Sequence, residues 1–465
     1  MRTYAPLVCG DRLPDARLER RLKTMVEQFS DQPNCPIPQA TETRNDMDAA
    51  YNFFANERVN PAAIVASCHS QLLAQLTGLT RILAVQDSTD CNFSSLLGTE
   101  GLGYTNGAKI RGLLLHSTLA LSPQGLSLGL LSQQIWTRDP ASQGTAQKRR
   151  SRTDQDKESY RWLDHASAAR KVVPENITVV HVADREGDIY DWLAAKRAEN
   201  THLLVRVAQA HRTVVHGADG QEGKLAHVVR AQPLLGRYDL TVPRGDDTPA
   251  RQAIISVRVA LVQVAPPLHA KKRKQLPKVK VWVIEAWEET PPPKQKAVCW
   301  RLVTTEPVTT FEEALRAVGE YVLRWKIERF HYVLKCGCEV EQLQLETADR
   351  LSNAVAVYSQ VAWRLLRLTY FARVTPDATV QQAFSADEIV VLDHCRQKQE
   401  NNPLASVITL QEAIRVIGRL GGHLGRKGDG PPGVKTLWRG LRRLNDQVIG
   451  YKNALSTIQR NSRNE

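Results

Sequence analysis

Between residues 311 and 335, apolar and polar positions recur with the period of an α-helix. The segment has no proline, carries acids in its first turn and ends in a lysine shortly before Gly337, as long helices do. Apolar side chains fall on two flanks of this predicted helix. Between the flanks, within about 60° of one another, lies a polar stripe formed by Tyr321, Arg324, Glu328 and Lys335. If the stripe is half buried, its carboxylate needs a cation or metal ion beside it. On a solvated face, Arg324 and Glu328 would instead form an ordinary i,i+4 ion pair, and this helix alone favours neither reading.

Shorter apolar runs upstream of this segment predict β-strands. One strand spans residues 81–86 and has Asp87 at its carboxyl end, and a continuously apolar strand at 177–183 ends at Asp184. The other elements predicted in this part of the chain are a hairpin at 110–120 and 125–136, helices at 157–171 and 188–197, and a strand at 203–207. The predicted order is therefore three strands, helix, strand, helix, strand and, much later, the long helix. A strand-end aspartate is often only a turn former, which is the simpler interpretation of Asp87 taken alone.

The region between these strands and the long helix predicts a β-rich insertion. Strand-like runs alternate there with turns rich in Gly, Pro and Lys. The predicted strands lie at residues 237–242, 253–264, 279–286 and 298–304.

Both ends of the chain predict helices. In the first 75 residues, Arg17, Arg20 and Arg21 stand at i, i+3 and i+4 on one helix, which could lie on DNA phosphates or simply face solvent. Beyond the long helix we expect another helix at 349–373 and, from residue 404 onward, two helices joined by a Gly/Pro-rich loop. Such a carboxyl-terminal module suits either subunit pairing or a packed helical cap.

Charge and cysteine usage narrow the class of protein. The 465 residues include 62 basic and 49 acidic ones, a net charge of +13, which favours a polyanionic partner without identifying it. The eight cysteines are scattered and no secretory leader is evident, so we expect a reduced cytoplasm. Cys336 and Cys338 lack the spacing of zinc ligands. The uncharged stretch at 112–137 is interrupted by Ser122-Pro123-Gln124-Gly125, which predicts a hairpin and no membrane span.

The polar stripe also has the spacing of a known family. Tyr321, two residues, Arg324, three residues, Glu328, six residues and Lys335 resemble the signature of the DDE cut-and-paste transposases of bacterial insertion sequences, in their transposon-five-like branch. The text ATETRNDMDAAYNFFANERVNPAAI resembles the amino-terminal end-binding domain of the same transposases. The predicted element order resembles that of ribonuclease H-like domains.

This resemblance implies an α/β fold class: a ribonuclease H-like catalytic domain, a mixed sheet flanked by helices, with a β-rich insertion and helical domains at both ends. The implied domains are an end-binding domain at 1–75, a catalytic domain at 76–207 and 301–372, the insertion at 208–300 and a dimerisation module at 373–465. Ribonuclease H-like folds place two strand aspartates and a late-helix acid around one metal site, and this chain has Asp87, Asp184 and Glu328 in those positions. Glu186 and Asp188 are weaker candidates because they read as first-turn residues of the next helix.

The chemistry expected from this resemblance is phosphoryl transfer on double-stranded DNA. Two Mg²⁺ ions, or Mn²⁺ in their place, would be held by Asp87, Asp184 and Glu328 and would serve both the attacking and the leaving oxygen. Tyr321, Arg324 and Lys335 would position phosphates. Trp300 stands where the family places a base-stacking tryptophan, although a strand tryptophan is often part of the core.

In the family, nicking frees a 3′-hydroxyl that forms a hairpin on the opposite strand, and the reopened end then joins target DNA within a homodimeric synaptic complex. Two other functions fit the same residues. The protein could be a ribonuclease H-like structure-selective nuclease, or a catalytically silent DNA-binding protein that inhibits transposition.

Overall fold

Helices occur where apolar residues recur every three to four positions, and strands where they form short runs. The computed structural model describes residues 12–105, 110–138, 160–244, 249–268, 270, 273–426 and 428–461. The α-helices of the described residues are α1 (Ala16–Asp31), α2 (Ile37–Ala40), α3 (Arg44–Phe54), α4 (Pro61–Ser67), α5 (His69–Leu76), α6 (Arg161–Val172), α7 (Tyr190–Ala194), α8 (Leu225–Arg230), α9 (Phe311–Val322), α10 (Trp325–Tyr332), α11 (Ala348–Val374), α12 (Ala386–Glu400), α13 (Leu410–Leu420) and α14 (Val434–Asn461).

The described residues also form twelve strands. These are β1 (Arg81–Asn92), β2 (Gly103–Tyr104), β3 (Arg111–Leu121), β4 (Ser127–Trp136), β5 (Thr178–Ala183), β6 (Thr201–Arg206), β7 (Thr213–His216), β8 (Gln221–Lys224), β9 (Gly236–Val242), β10 (Arg251–Val264), β11 (Val279–Trp287) and β12 (Cys299–Thr304).

The chain divides into two compact units, and each unit is built from segments that are separated along the sequence. One, called here the helical unit, comprises Met1–Gly78, Ser88–Gly144 and Lys326–Glu465. The other, the sheet unit, comprises Leu79–Asp87 and Thr145–Trp325. The boundary falls within β1, whose first seven residues belong to the sheet unit and whose last five belong to the helical unit.

The sheet unit is built on a mixed sheet. Its strands follow the order β1, β5, β6, β12, β11, β10, β7 and β8, with β9 paired to β10. β1, β5 and β6 are parallel, and the strands from β12 onward join by antiparallel pairing. Strands of a parallel region are covered on both faces, which explains why β5 is apolar almost throughout. A core of Trp192, Leu203, Val262 and Val283 extends along one face from the parallel strands to β10 and β11.

The helical unit is organised around α11, 27 residues long and buried along most of its length. Phe29 of α1 stacks on Tyr358 of α11 with ring centroids 5.0 Å apart. Asn353 donates a side-chain hydrogen bond to the carbonyl of Phe54, 3.1 Å away. Helices α4 and α5 and the hairpin β3–β4 also belong to this unit, and Gly129 of β4 lies so close to α5 that a Cβ there would come 2.9 Å from Leu72. Specific side-chain contacts thus hold the amino-terminal helices against α11 and β4.

Many predicted elements are confirmed. The protein is of the mixed α/β class with a large mixed sheet, the described residues 12–75 and the carboxyl-terminal part are mainly helical, and the four strands between 236 and 304 are present. Residues 112–137 form the hairpin β3–β4. No helix among the described residues is long and apolar enough to cross a membrane. The sequence also has two basic runs, at 148–152 and 271–274; the first, and residues 271–272 of the second, lie outside the described residues.

Three element predictions are wrong. The segment 311–335 is not one helix: α9 ends at Val322, a tight turn follows in which Arg324 N donates to Tyr321 O (3.0 Å), and α10 begins at Trp325. The two apolar flanks serve different cores, because α9 belongs to the sheet unit and α10 to the helical unit from Lys326 onward. β1 continues to Asn92, so Asp87 lies inside the strand and not at its end. The helix predicted at 188–197 is reduced to α7, because Asp188 is engaged elsewhere.

Candidate functional site

Asp184 is positioned by the strand before it. β5 ends at Ala183, and Asp184 keeps an extended backbone (φ −78°, ψ −161°) while its Oδ1 accepts a hydrogen bond from Glu186 N at 2.8 Å. This bond caps a single 3₁₀ turn at Arg185–Gly187. The side chain is partly exposed, so its carboxylate lies at the surface of the sheet unit just beyond a buried strand.

Asp87 lies on the neighbouring parallel strand at the same level. The register of β1 on β5 pairs Val85 with Val182, and Asp87 and Asp184 each come two residues further along. Continued by two residues, the same register sets Asp87 opposite Asp184. Partners in register project to the same face of a sheet, on strands about 4.8 Å apart. The sheet unit therefore brings two partly exposed carboxylates together at one edge of its parallel region.

Just before these aspartates, the two strands carry a buried, hydrogen-bonded pair of polar side chains. Gln86 donates through Nε2 to Nδ1 of His181 at 3.2 Å, and both side chains are fully buried between the two strands. Burial, aided by the charges of Arg197 and Arg170, lowers the pKa of His181 to about 3, so the imidazole is neutral at physiological pH. Trp192 packs against its ring in an edge-on arrangement, with centroids 6.3 Å apart. This packing fixes the two strands just before the aspartates.

The two competing acids have other surroundings. Asp188 is buried, and its Oδ2 accepts from Ala208 N (2.7 Å) and pairs with the guanidinium of Arg212. Those contacts tie the turn after β5 to the chain that follows β6, which is a structural role. Glu186 is exposed in the 3₁₀ turn. Among the three acids of this motif, only Asp184 directly follows a strand and has another aspartate, Asp87, at the corresponding position of the neighbouring strand.

Two residues of the polar stripe lie at the end of α9. Tyr321 is buried, and Arg324 is half buried in the turn, with its guanidinium carbon 5.9 Å from the centre of the Tyr321 ring. One turn earlier, Glu320 accepts from Arg81 Nε at 2.7 Å, and the same guanidinium bonds Glu306 at 2.6 Å. This partly buried network joins the end of α9 to the start of β1. It fixes the end of α9, from which the turn with Arg324 begins, relative to the start of β1.

Trp300 lies on β12 opposite Ala286 of β11. The side chain is half buried, whereas Leu302 two residues along the same strand is fully buried. Trp300 is therefore not a fully enclosed core residue, and part of its ring surface faces solvent.

The other two stripe residues lie in the helical unit. Glu328 is exposed in the first turn of α10, whose buried side includes Ile327 and Phe330. Lys335 is in the π-helical turn Val333–Gly337 and forms an ion pair with Asp90, with Nζ 3.6 Å from Oδ1. Asp90 was not among the residues singled out from the sequence. The one signal for it was its position three residues after Asp87.

The predicted DNA-contacting arginines of α1 differ in their surroundings. Arg17 is 82% exposed and pairs with the capping Asp15 at 2.9 Å. Arg20 is exposed, whereas Arg21 donates to Asp46 of α3 at 2.8 Å and is mostly covered. Of the three predicted arginines, Arg17 and Arg20 are thus exposed on α1, while Arg21 holds two helices together.

Two of the three predicted acids come from neighbouring strands of one unit, and the third comes from the other unit. Asp87 and Asp184 share an edge of the sheet unit, and Glu328 belongs to the helical unit. Within the described part of the chain, no group of three or more His, Cys, Asp or Glu side chains could hold a metal ion. A metal site formed by all three acids is therefore a proposal.

Comparison with known families gives two matches, one near each end of the chain. Residues 10–59, which contain α1, α2 and α3, match the family described as transposase DNA-binding. Residues 360–460 match the family described as transposase Tn5 dimerisation domain. The second match begins in α11 and extends through α12 and α13 almost to the end of α14.

Together the two matches support a transposase similar to that of Tn5. They support DNA binding by the amino-terminal helices and homodimer formation by the carboxyl-terminal ones. Both matches lie in the helical unit. The sheet unit, with its two aspartates, is matched by neither.

Proposed function

We propose that this protein is a DDE transposase that cuts a mobile element out of DNA and joins its 3′-hydroxyl ends to target DNA. The observation that carries the proposal is the parallel register of β1 on β5, in which Val85 pairs with Val182 and Asp87 and Asp184 each follow two residues later. This pair occurs in a chain whose ends match a transposase DNA-binding family and a transposase dimerisation family. A structure-selective nuclease would not by itself account for both matches, whereas a catalytically silent inhibitor would share both and would differ from the proposed enzyme in lacking cleavage.

The catalytic domain is proposed to be ribonuclease H-like. In support, β1, β5 and β6 are parallel neighbours, and the hairpin β3–β4 separates β1 from β5 along the chain. The proposed domains are the end-binding domain at 1–75, the catalytic domain at 76–207 and 301–372, the β-rich insertion at 208–300 and the dimerisation module at 373–465.

The acids are suited to hard divalent cations. Mg²⁺ prefers oxygen ligands and is usually bound by one or two carboxylates together with waters and substrate phosphates. Asp87 and Asp184 offer two partly exposed carboxylates from adjacent strands, which fits that donor set. Glu328 is proposed as the third ligand, with Mn²⁺ able to replace Mg²⁺ and two ions in each site. Such ions supply charge neutralisation for the attacking and the leaving oxygen of the phosphodiester.

The remaining residues hold the DNA. Arg324 can bind a phosphate through two parallel hydrogen bonds, Lys335 contributes a point charge, and the Tyr321 hydroxyl donates to a phosphate oxygen. The buried Gln86–His181 layer keeps the two aspartates in register while the DNA is in place. The two copies of the protein hold two element ends together in a synaptic complex, acting at the bacterial nucleoid.

Trp300 is proposed to stack on a base extruded when the freed 3′-hydroxyl forms a hairpin on the opposite strand. Base stacking on an aromatic ring is worth about 1–3 kcal/mol. Trp300→Ala should therefore slow hairpin formation by more than tenfold and the first nick much less, as measured by single-turnover gel assays. Equal losses at both steps would contradict the stacking role.

The proposal is tested by comparing Asp184→Asn with Asp191→Asn, a change of another acid that is exposed on α7. We expect Asp184→Asn to abolish cleavage of a duplex bearing the element's terminal repeats while binding to the same duplex persists. Asp191→Asn should retain both activities. Full cleavage by Asp184→Asn, or equal cleavage of an unrelated duplex by the unaltered protein, would exclude the proposed mechanism.

A further inference from the structure

A groove in the helical unit has no part in the proposed function. Its volume is about 690 Å³, and it lies between α14 and the chain that follows Glu328. Tyr332 and Cys336 form one wall, and α14 forms the other. The α14 side of the groove falls within the dimerisation match, which assigns it no ligand.

The α14 wall is strongly basic. Lys435, Arg439, Arg442 and Arg443 stand at i, i+4, i+7 and i+8 and therefore lie on one face of the helix, where all four are exposed. Arg443 donates to the carbonyl of Leu420 at 2.5 Å. The other three have no ion-pair partner among the residues that the structure describes.

This arrangement costs the isolated helix stability. Like charges at i,i+4, such as those of Lys435 and Arg439, repel each other and destabilise a helix. The acids that line the groove are Glu339 and Asp446, so its four cations are only half balanced. A bound polyanion would remove the repulsion and supply the missing charge.

The groove also contains two aromatic side chains, Tyr332 on one wall and Trp438 on α14. Tyr332 and Trp438 lie with ring centroids 6.0 Å apart at an angle of 34°. Trp438 is buried and held closely, because a Cβ on Gly337 would come 3.0 Å from its ring. Tyr332 is half exposed. A basic rim over aromatic rings is the combination with which proteins hold nucleic acid, the cations meeting phosphates and the rings meeting sugars or bases.

The groove also begins close to a proposed active-site residue. Glu328 and Tyr332 are four residues apart on α10, so they lie on the same side of that helix, one turn from each other. A duplex that passes Glu328 would enter the groove next. We infer that this groove binds the phosphate backbone of double-stranded DNA, which gives the dimerisation module a second role as a DNA clamp.

The inference is tested with Arg439→Gln/Arg442→Gln in the full-length protein. The matched control is Arg415→Gln/Arg460→Gln, which removes two exposed charges from the carboxyl-terminal helices outside the groove. Binding to a 30-base-pair duplex is measured in EDTA at several salt concentrations. Each lost phosphate contact lowers the salt slope by about 0.9, so the groove variant should lose about 2 and the control much less.

Cys336 provides a second measurement that needs no variant. Its thiol is exposed in the groove, whereas Cys338 nearby is buried. Bound duplex should slow alkylation of Cys336 by at least about tenfold, measured by mass spectrometry of the peptide that contains it. This readout applies even if the double variant folds poorly.

Two outcomes would overturn the inference. One is an unchanged salt slope together with unprotected Cys336. The other is a groove variant that dissociates the dimer but keeps its salt slope, which would assign the groove to the second subunit. Because EDTA prevents metal-dependent cleavage, a failure of the proposed catalytic function would not alter either result.

Discussion

At the scale of single residues, the turn after β5 shows how similar acids acquire different roles. Asp184, Glu186 and Asp188 alternate along five residues. The strand end before Asp184 can be predicted because β5 is apolar almost throughout, and the structure agrees that β5 ends at Ala183. The role of Asp188 could not be predicted, since its partner Arg212 is 24 residues away and on the far side of β6. Local sequence identifies candidate acids, and long-range contacts choose between them.

His181 makes the stability of the sheet unit sensitive to acid. Its pKa is about 3 in the folded protein, because it is buried, and about 6.5 in the unfolded chain. The unfolded chain therefore binds the proton first. The contribution of the neutral imidazole is complete above pH 6.5 and is lost as the pH falls from 6.5 toward 3.

We predict that His181→Gln, which does not titrate, reduces the loss of folding free energy between pH 7 and pH 5 by about 2 kcal/mol. Denaturant unfolding at the two pH values measures this difference. His211→Gln, at an exposed position, is the control. An identical pH dependence in His181→Gln and the unaltered protein would contradict the prediction.

At the scale of elements, the segment 311–335 shows a limit of pattern analysis. Both of its apolar flanks are real, since α9 buries Ala314 and Val318 and α10 buries Ile327 and Phe330. A helical wheel assumes that one core receives them, and here two units do. The four signature residues are consequently divided between α9, the turn, α10 and a π-helical turn, so they do not form the single stripe predicted for one ideal helix.

The helix α1 offers a test that separates DNA contact from helix packing. Arg20 is exposed, whereas Arg21 is bonded to Asp46 on α3. We predict that Arg20→Gln lowers the salt slope of binding to the element end by about 1 without changing thermal stability. Arg21→Gln should lower the melting temperature of the protein, because the carboxylate of Asp46 loses its partner.

These two effects are measured by binding isotherms at several salt concentrations and by thermal unfolding. A lower melting temperature for Arg20→Gln than for Arg21→Gln would show that the assignment of the two arginines is reversed. An unchanged salt slope for Arg20→Gln would remove it from the DNA interface.

At the scale of the whole molecule, the two units could not be predicted from the sequence. Contiguous segments with one kind of pattern suggested domains, but the helical unit draws on three separate stretches of chain. Contacts such as Phe29 on Tyr358 join residues more than 300 positions apart, and no periodic pattern reports them. The class of fold and its strands were predictable because strands appear in the sequence as short local runs, or alternations, of apolar residues. The partition into units was not, since it depends on distant pairing.

The end of α14 gives a prediction about assembly. Leu455 and Ile458 are exposed there, three residues apart on one side of the helix, within the dimerisation match. We predict that Leu455→Glu/Ile458→Glu raises the dissociation constant of the homodimer at least tenfold, about 1.4 kcal/mol, in sedimentation measurements. Ser456→Glu, on another side of α14, should leave it nearly unchanged. Equal effects of the two changes would place the dimer contact elsewhere.

The central claim is that Asp87, Asp184 and Glu328 hold the same metal ions beside bound DNA. Iron-mediated cleavage of the protein backbone tests it most directly: Fe²⁺ replaces Mg²⁺ in the protein–DNA complex, ascorbate and peroxide are added, and the cut positions are mapped. We predict cuts near all three acids, and their joint loss in Asp184→Asn. Cuts near Asp87 and Asp184 with none near Glu328 would contradict the claim.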